Sequence, residues 1–193
     1  MSDMKLAVAI IASVLAFIGN ISYLRDTFSN KIKPHPYTWF IWSIVSMTTF
    51  FGGLAKGAGI GALPTGIAEG FTVIIFIFSV RSFFKDRTER IHPIDHYFLA
   101  ISLLGLIPWA ITKDPTISVV IVVLVDIVAF IPTIRKTWMH PKTERPLLYE
   151  MNASRHVLTL FSLQAYNTAT MFHSIAMICT NVIMTVLIKR KRA

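Results

Sequence analysis

The chain is short of charge. Of 193 residues only 15% are Asp, Glu, Lys or Arg, and just ten of these are acidic, against about 25% charged residues in soluble domains. A soluble domain of this size leaves about 30% of its unfolded surface in contact with water. A composition that is 54% hydrophobic could not supply that surface, whereas a bilayer removes the demand for it. Disulfide chemistry is also missing, because Cys179 is the single cysteine and lies inside an apolar run. No serine or cysteine nucleophile motif is visible. The glycines at Gly57, Gly59 and Gly61 follow no strand pattern, which excludes a phosphate-binding loop. The lead before the first apolar run has no small-x-small cleavage site, so that run reads as a mature span.

Long apolar runs and clustered basic residues are what the chain does have. A span needs about 20 mostly apolar residues. Seven stretches qualify: 4–24, 37–54, 60–84, 94–112, 116–137, 151–167 and 171–188. The sixth is the most polar. Each must be helical, since an unpaired backbone group in lipid costs several kcal/mol. The fold class expected is therefore an all-α integral membrane protein of seven transmembrane helices.

The net charge is +9, but the bases sit in short clusters between apolar runs, unlike a nucleic-acid-binding face. Sixteen of the nineteen Lys and Arg fall on one side: Arg25, Lys31, Lys33, Arg81, Lys85, Arg87, Arg90, Arg135, Lys136, Lys142, Arg145, Arg155 and Lys189 to Arg192. Only Lys5, Lys56 and Lys113 fall on the other. The positive-inside rule places the larger set in the cytoplasm of a bacterial-type plasma membrane, with the N-terminus outside and the C-terminus inside. Six or eight spans would scramble this split. By the same logic Trp39, Trp42 and Trp138 read as an aromatic belt at the cytoplasmic boundary and Trp109 at the outer one.

The chain also carries an internal echo. Ala16-Phe17-Ile18-Gly19 in the first span matches Ala129-Phe130-Ile131-Pro132 in the fifth, an offset of 113. After each comes a basic loop, ending in Pro34-x-x-Tyr37 and Pro146-x-x-Tyr149, an offset of 112. Spans one to three then match five to seven. The units are 1–90 and 115–193, with 91–114 as a linker helix, and the odd linker makes the repeats parallel.

On these residues the chain resembles the SWEET, SemiSWEET and PQ-loop superfamily of transporters. Two departures stand out: Gly19 occupies the place of the family's first-helix proline, and neither half has a Pro-Gln pair. The resemblance implies a small-solute carrier, not an enzyme, that works by alternating access on a sugar, amino acid or vitamin. It also implies that Pro132, Pro146 and Pro34 act as hinges, consistent with proline's loss of a backbone donor. Asn181, ten residues into its span, matches the asparagine that the family places on the third helix of a repeat; at the offset of 112 its mate is Glu69.

Ionisable residues inside a membrane are functional candidates by default. Glu69 and Asp126 both fall near the bilayer centre at 1.5 Å of rise per residue. A carboxylate there suits a cationic or polyhydroxyl substrate, or proton coupling. Asn20 and Gln164 are further substrate-binding candidates, whose competing role is hydrogen bonding between helices, as it is for Asn181. No cofactor or metal is expected. His92 and His96 are interrupted by Pro93 and lie at a solvated end. His156 and His173 are expected toward opposite faces, too far apart to share a site. Expected partners are a small-molecule substrate and the lipid bilayer, with no nucleic acid and with homo-oligomerisation left open. Two rival readings remain: a membrane enzyme using histidines and acids at the cytoplasmic face, and a non-transporting receptor or scaffold.

Overall fold

The computed structural model describes residues 3–85 and 91–192. Arg87 and Arg90, counted above in the cytoplasmic set, lie outside the described residues. The described residues form seven α-helices: α1 (Asp3–Phe28), α2 (Pro36–Ala55), α3 (Leu63–Lys85), α4 (Pro93–Ile111), α5 (Pro115–Met139), α6 (Pro146–Ser162) and α7 (Thr168–Arg192). Short 3-10 turns precede α3 and α6, and no strand occurs among the described residues.

Proline sets four of the seven starts. Pro36, Pro93, Pro115 and Pro146 each open a helix, where the missing N–H is one that no helical carbonyl would use. Asp114 caps α5, accepting from the Thr116 and Ile117 amides at 2.7 and 3.0 Å. These two donors, that of Ile117 foremost, hold its carboxyl below the usual carboxylate range.

Five segments are long and apolar enough to cross a membrane: α1, α2, Gly59–Lys85, α5 and α7. In α4 a shorter apolar run is found, Pro93–Pro108. The sixth helix differs from expectation, because it runs from Pro146 to Ser162 rather than over 151–167. Pro146 starts it one turn earlier, and a non-helical connection separates its end from α7.

The burial pattern is that of a membrane protein. Large apolar side chains face outward, among them Phe17 at 52%, Ile77 at 56%, Leu124 at 53% and Ile183 at 55% exposed, while Glu69, Asp126, Arg155 and His156 are buried. Water would not tolerate that arrangement, but lipid favours it. Several serine and threonine hydroxyls inside the bundle bond back to their own helices, as Ser13 does to Ala9, Thr49 to Val45 and Thr72 to Ala68, so these need no water.

Helix packing follows a repeated order. In the first half α3 lies between α1 and α2; in the second, α7 lies between α5 and α6. The halves meet through two crossed pairs, α1 on α6 and α2 on α5, and α4 packs chiefly on α5. A two-fold exchange of α1 with α5 and α2 with α6 carries one crossed pair onto the other. The register differs from the sequence echo by about one turn. An offset of 110 carries buried Ala9, Ala12, Ala16, Gly19, Tyr23 and Thr27 onto buried Val119, Val122, Asp126, Ala129, Thr133 and Thr137. It also carries the helix-opening Pro36 onto Pro146. Pro34 is therefore not the counterpart of Pro146. In α3 and α7 an offset of 109 pairs buried Thr72, Ile75 and Ser79 with Asn181, Met184 and Ile188, so Thr72 rather than Glu69 answers Asn181. The sequence echo is a one-turn slip between similar helix faces, which share the same buried stripe every three to four residues.

Gly19 lets α1 and α6 touch. A Cβ built there would sit 2.8 Å from the Met151 Cβ, too close for any other residue without movement. At the other crossing Thr38 Oγ1 on α2 donates to the Ala129 carbonyl at 2.8 Å, and Thr133 Oγ1 donates to Thr38 Oγ1 at 3.0 Å. Both bonds fall in the turn of α5 that Pro132 interrupts, where a neighbouring helix supplies polar contacts to the backbone.

Candidate functional site

A small cavity of about 50 Å³ lies where the two three-helix units meet. All six of their helices line it: Asn20 from α1; Trp39, Trp42 and Ser46 from α2; Thr72 from α3; Asp126 and Phe130 from α5; Asn152, Arg155 and His156 from α6; His173, Thr180 and Asn181 from α7. The volume suits one or two waters, so in this conformation the centre is closed around anything larger.

The charged groups here are short of partners. Asp126 is 2% exposed. Its Oδ1 has no hydrogen-bond partner among the described residues, and its Oδ2 lies 4.0 Å from His173 Nε2. Glu69, next to the lining residue Ala68 and not itself in the wall, is buried with neither oxygen in a hydrogen bond of good geometry; Ser46 is the hydroxyl placed toward it, and Arg155 and Asp126 act on it through charge. Arg155 Nε donates to Asn152 Oδ1 at 2.8 Å while its buried Nη1 has no partner. Trp42 Nε1 is turned toward the Asp126 carboxyl without closing a hydrogen bond of good geometry. An unpaired buried polar group costs about 1–3 kcal/mol, and more when charged, so the centre is held at a disadvantage that a bound polar solute or water can relieve.

Asn20 and Asn181 each donate to their own helix, to Ala16 at 2.8 Å and Met177 at 2.7 Å. Neither makes the interhelical bond that was the competing explanation for it. Gln164 is not at the site: it is exposed in the connection between α6 and α7, where its backbone N–H donates to the Ala58 carbonyl at 3.4 Å. Pro132 sits inside α5, Pro146 at the start of α6 and Pro34 in the loop before α2.

Three expectations are corrected here. His156 and His173 do share the site, with ring centroids 5.3 Å apart and planes near perpendicular; His156 Nδ1 also lies 3.2 Å from Ser174 Oγ. Arg155 is not a loop charge but is 6% exposed beside the cavity. Both errors follow from starting the sixth helix too late. Counted from Pro146, Arg155 and His156 are about 15 Å along the helix, near its middle. Trp39 and Trp42 are not belt residues either: Trp39 is 2% exposed, and with Trp42 and Ser46 it forms the inner stripe of α2. Trp138 is exposed, as expected.

At the end of the bundle that carries the basic loops, two other buried carboxylates are fully engaged. Asp95 on α4 accepts two bonds from Arg135, lies 3.3 Å from His35 Nε2 and accepts the His92 amide at 3.3 Å. Glu144, between α5 and α6, accepts from Tyr23 at 2.8 Å and Tyr149 at 3.0 Å, and pairs with Lys136 at 3.0 Å. Asp26 pairs with Arg145 at 2.6 Å. These contacts tie α1, α2, α4, α5 and α6 together at one end. No group of three or more His, Cys, Asp or Glu side chains is arranged to hold a metal among the described residues.

These features define an all-α integral membrane protein with a closed, charged centre between two like-packed units. Compared with known proteins, the chain matches no family model, no curated protein and no solved structure.

Proposed function

We propose that this protein is a small-solute carrier of SWEET-like and PQ-loop-like architecture that works by alternating access. The observation that carries the reading is the buried Glu69, Asp126 and Arg155, short of partners at the junction of two similarly packed three-helix units. Carriers built from repeats hold substrate at the midplane between them, and one repeat rocks against the other. The units run over 1–90 and 115–193, with 91–114 as the linking helix. Asp126, Glu69, Asn181 and Asn20 carry substrate recognition, joined by Arg155 and the Trp39–Trp42 wall. Pro132 and Pro146 are the joints.

Orientation rests on charge. Taking the buried Arg155 out of the sixteen leaves fifteen bases against three, which puts the basic end in the cytoplasm and the N-terminus outside. With carboxylates on two of the lining helices, the substrate is a small molecule bearing a positive charge or several hydroxyls.

The test is a thermal-stabilisation screen of the purified protein in detergent against sugars, amino acids and vitamins, since a native-state ligand raises the midpoint. A hit is then followed as uptake into proteoliposomes. The reading expects E69Q and N181A each to lower uptake at least tenfold. Uptake unchanged in both would remove the site assignment, and no uptake of any stabilising ligand would remove the carrier reading.

A further inference from the structure

A second cavity, of about 620 Å³, opens at the basic end of the bundle, remote from the central one. Its walls come from the start of α2, the start of α4 and the end of α5 with the turn that follows. Among the described residues Arg135, Lys136 and Lys142 line it, with His35, His92 and His140, against one carboxylate, Asp95. That carboxylate is already engaged by Arg135 and His35, and Lys136 is paired with Glu144 outside the lining. Lys142, His140 and His92 stand exposed at the mouth.

Two further features favour an anion. The N-terminus of α2 opens here through its first residue Pro36 and its cap His35, and the α4 cap His92 also lines the wall, its side chain already accepting the Ile94 amide; a helix N-terminus carries a partial positive charge. The cap of α2 makes no side-chain hydrogen bond to its own helix. His35 lines the cavity and is 6% exposed, and its buried Nδ1 has no hydrogen-bond partner among the described residues. A buried ring nitrogen without a partner, beside a basic mouth and a helix N-terminus, points to a ligand with hydrogen-bonding oxygens.

The rest of the wall identifies the kind of anion. Phe83, Ile91 and Met139 give the cavity an apolar side. Next in the chain to lining residues, Phe84 is 73%, Ile94 42% and Trp138 59% exposed. A basic cavity with an apolar side, bordered in sequence by exposed apolar residues, has the character of a site where headgroups meet hydrocarbon. We infer that this cavity binds the phosphodiester headgroup of an anionic phospholipid, with Lys142, His140 and the His35 ring on the phosphate and Phe83 and Met139 against the first acyl carbons. Basic pockets between transmembrane helices serve this purpose in general. The site stands apart from the substrate reading and survives if that reading fails.

The full-length protein, purified in detergent, provides the test. Its unfolding midpoint would be followed with phosphatidylglycerol, phosphatidylcholine and inorganic phosphate in separate arms, alongside native mass spectrometry of retained lipid. Phosphatidylglycerol at about 100-fold above its Kd should raise the midpoint by roughly 5–10 °C and be retained as a discrete adduct, with phosphatidylcholine giving neither. Arg135 is tied into the fold through Asp95, so the informative variant is K142Q with H140Q, two exposed rim residues. It should keep the native midpoint without lipid and lose at least half of the lipid-induced shift. Equal effects of the two lipids, or an undiminished shift in the double variant, would overturn the assignment. Stabilisation by inorganic phosphate with none from phosphatidylglycerol would overturn the lipid as its source.

Discussion

Four buried carboxylates divide into two kinds. At the basic end Asp95 and Glu144 are each met by several donors from different helices. At the centre Glu69 and Asp126 are equally buried and have no hydrogen-bond partner for three of their four oxygens. The four are alike in burial and unlike in hydrogen bonding. A satisfied charge tells how the helices are tied, and an unsatisfied one tells where the fold tolerates a disadvantage for some other purpose.

The sharpest way to break this comparison is to remove Asp95. Asp95→Ala leaves Arg135 and His35 without their acid. Losing one member of a buried pair costs about 3–5 kcal/mol, and the low end is expected because the Arg135 side chain is 25% exposed. The unfolding midpoint in detergent reads the loss. If this variant proves as stable as E69Q, the two kinds of carboxylate are not different.

Next in size is Glu144→Gln, which keeps an acceptor for Tyr23 and Tyr149 but takes the charge from Lys136. A loss of about 1–3 kcal/mol is expected, measured the same way. A similar penalty, about 1–3 kcal/mol from overpacking, is expected for Gly19→Ala, whose new Cβ meets Met151 at the junction of the units. Gly53→Ala is its control: there the nearest atom to the new Cβ is 3.7 Å away, and the midpoint should hold or rise. Equal effects in the two glycine variants would mean that the α1–α6 crossing is not tight.

The smallest effect concerns Asp114, the exposed cap of α5. Its carboxyl is held below the usual range in the folded state, so its contribution is present above the ordinary carboxylate value and is lost as pH falls through the depressed one. Asp114→Ala should lower the midpoint slightly at neutral pH and match the native protein in acid. A difference that persists undiminished at low pH would contradict the cap.

Much of the fold was legible in the sequence. Apolar run length gave the helices, and the helix-opening prolines Pro36, Pro93, Pro115 and Pro146 sit within a residue or two of expected starts, except in α6. Glu69 and Asp126 were visible because a carboxylate inside an apolar run has no other easy explanation. Arg155 and His156 were hidden because the sixth helix is polar enough to blur its own start, and a five-residue misplacement of that start moved them about 7 Å toward the loop. The signal that could have found them was Pro146 itself, a helix-opening proline like the other three. The echo in the sequence lies about one turn away from the offset at which the buried stripes of α1 and α5 align. Recurrent Ala-Phe-Ile strings report a shared face, whereas burial of Thr27 and Thr137, or Gly19 and Ala129, reports the register. Trp39 and Trp42 were misplaced because an interfacial tryptophan and one lining an interior look alike without knowledge of which stripe of α2 faces inward.

If Glu69 and Asp126 are held short of partners for a ligand rather than for the fold, the unfolding midpoints of E69Q and D126N, with and without the solute that stabilises the native protein, will show it. Midpoints equal to or above the native one are expected in the absence of solute, since each change removes an uncompensated buried acid, together with loss of the solute-induced shift. Midpoints well below the native one, with the solute-induced shift intact, would contradict that role.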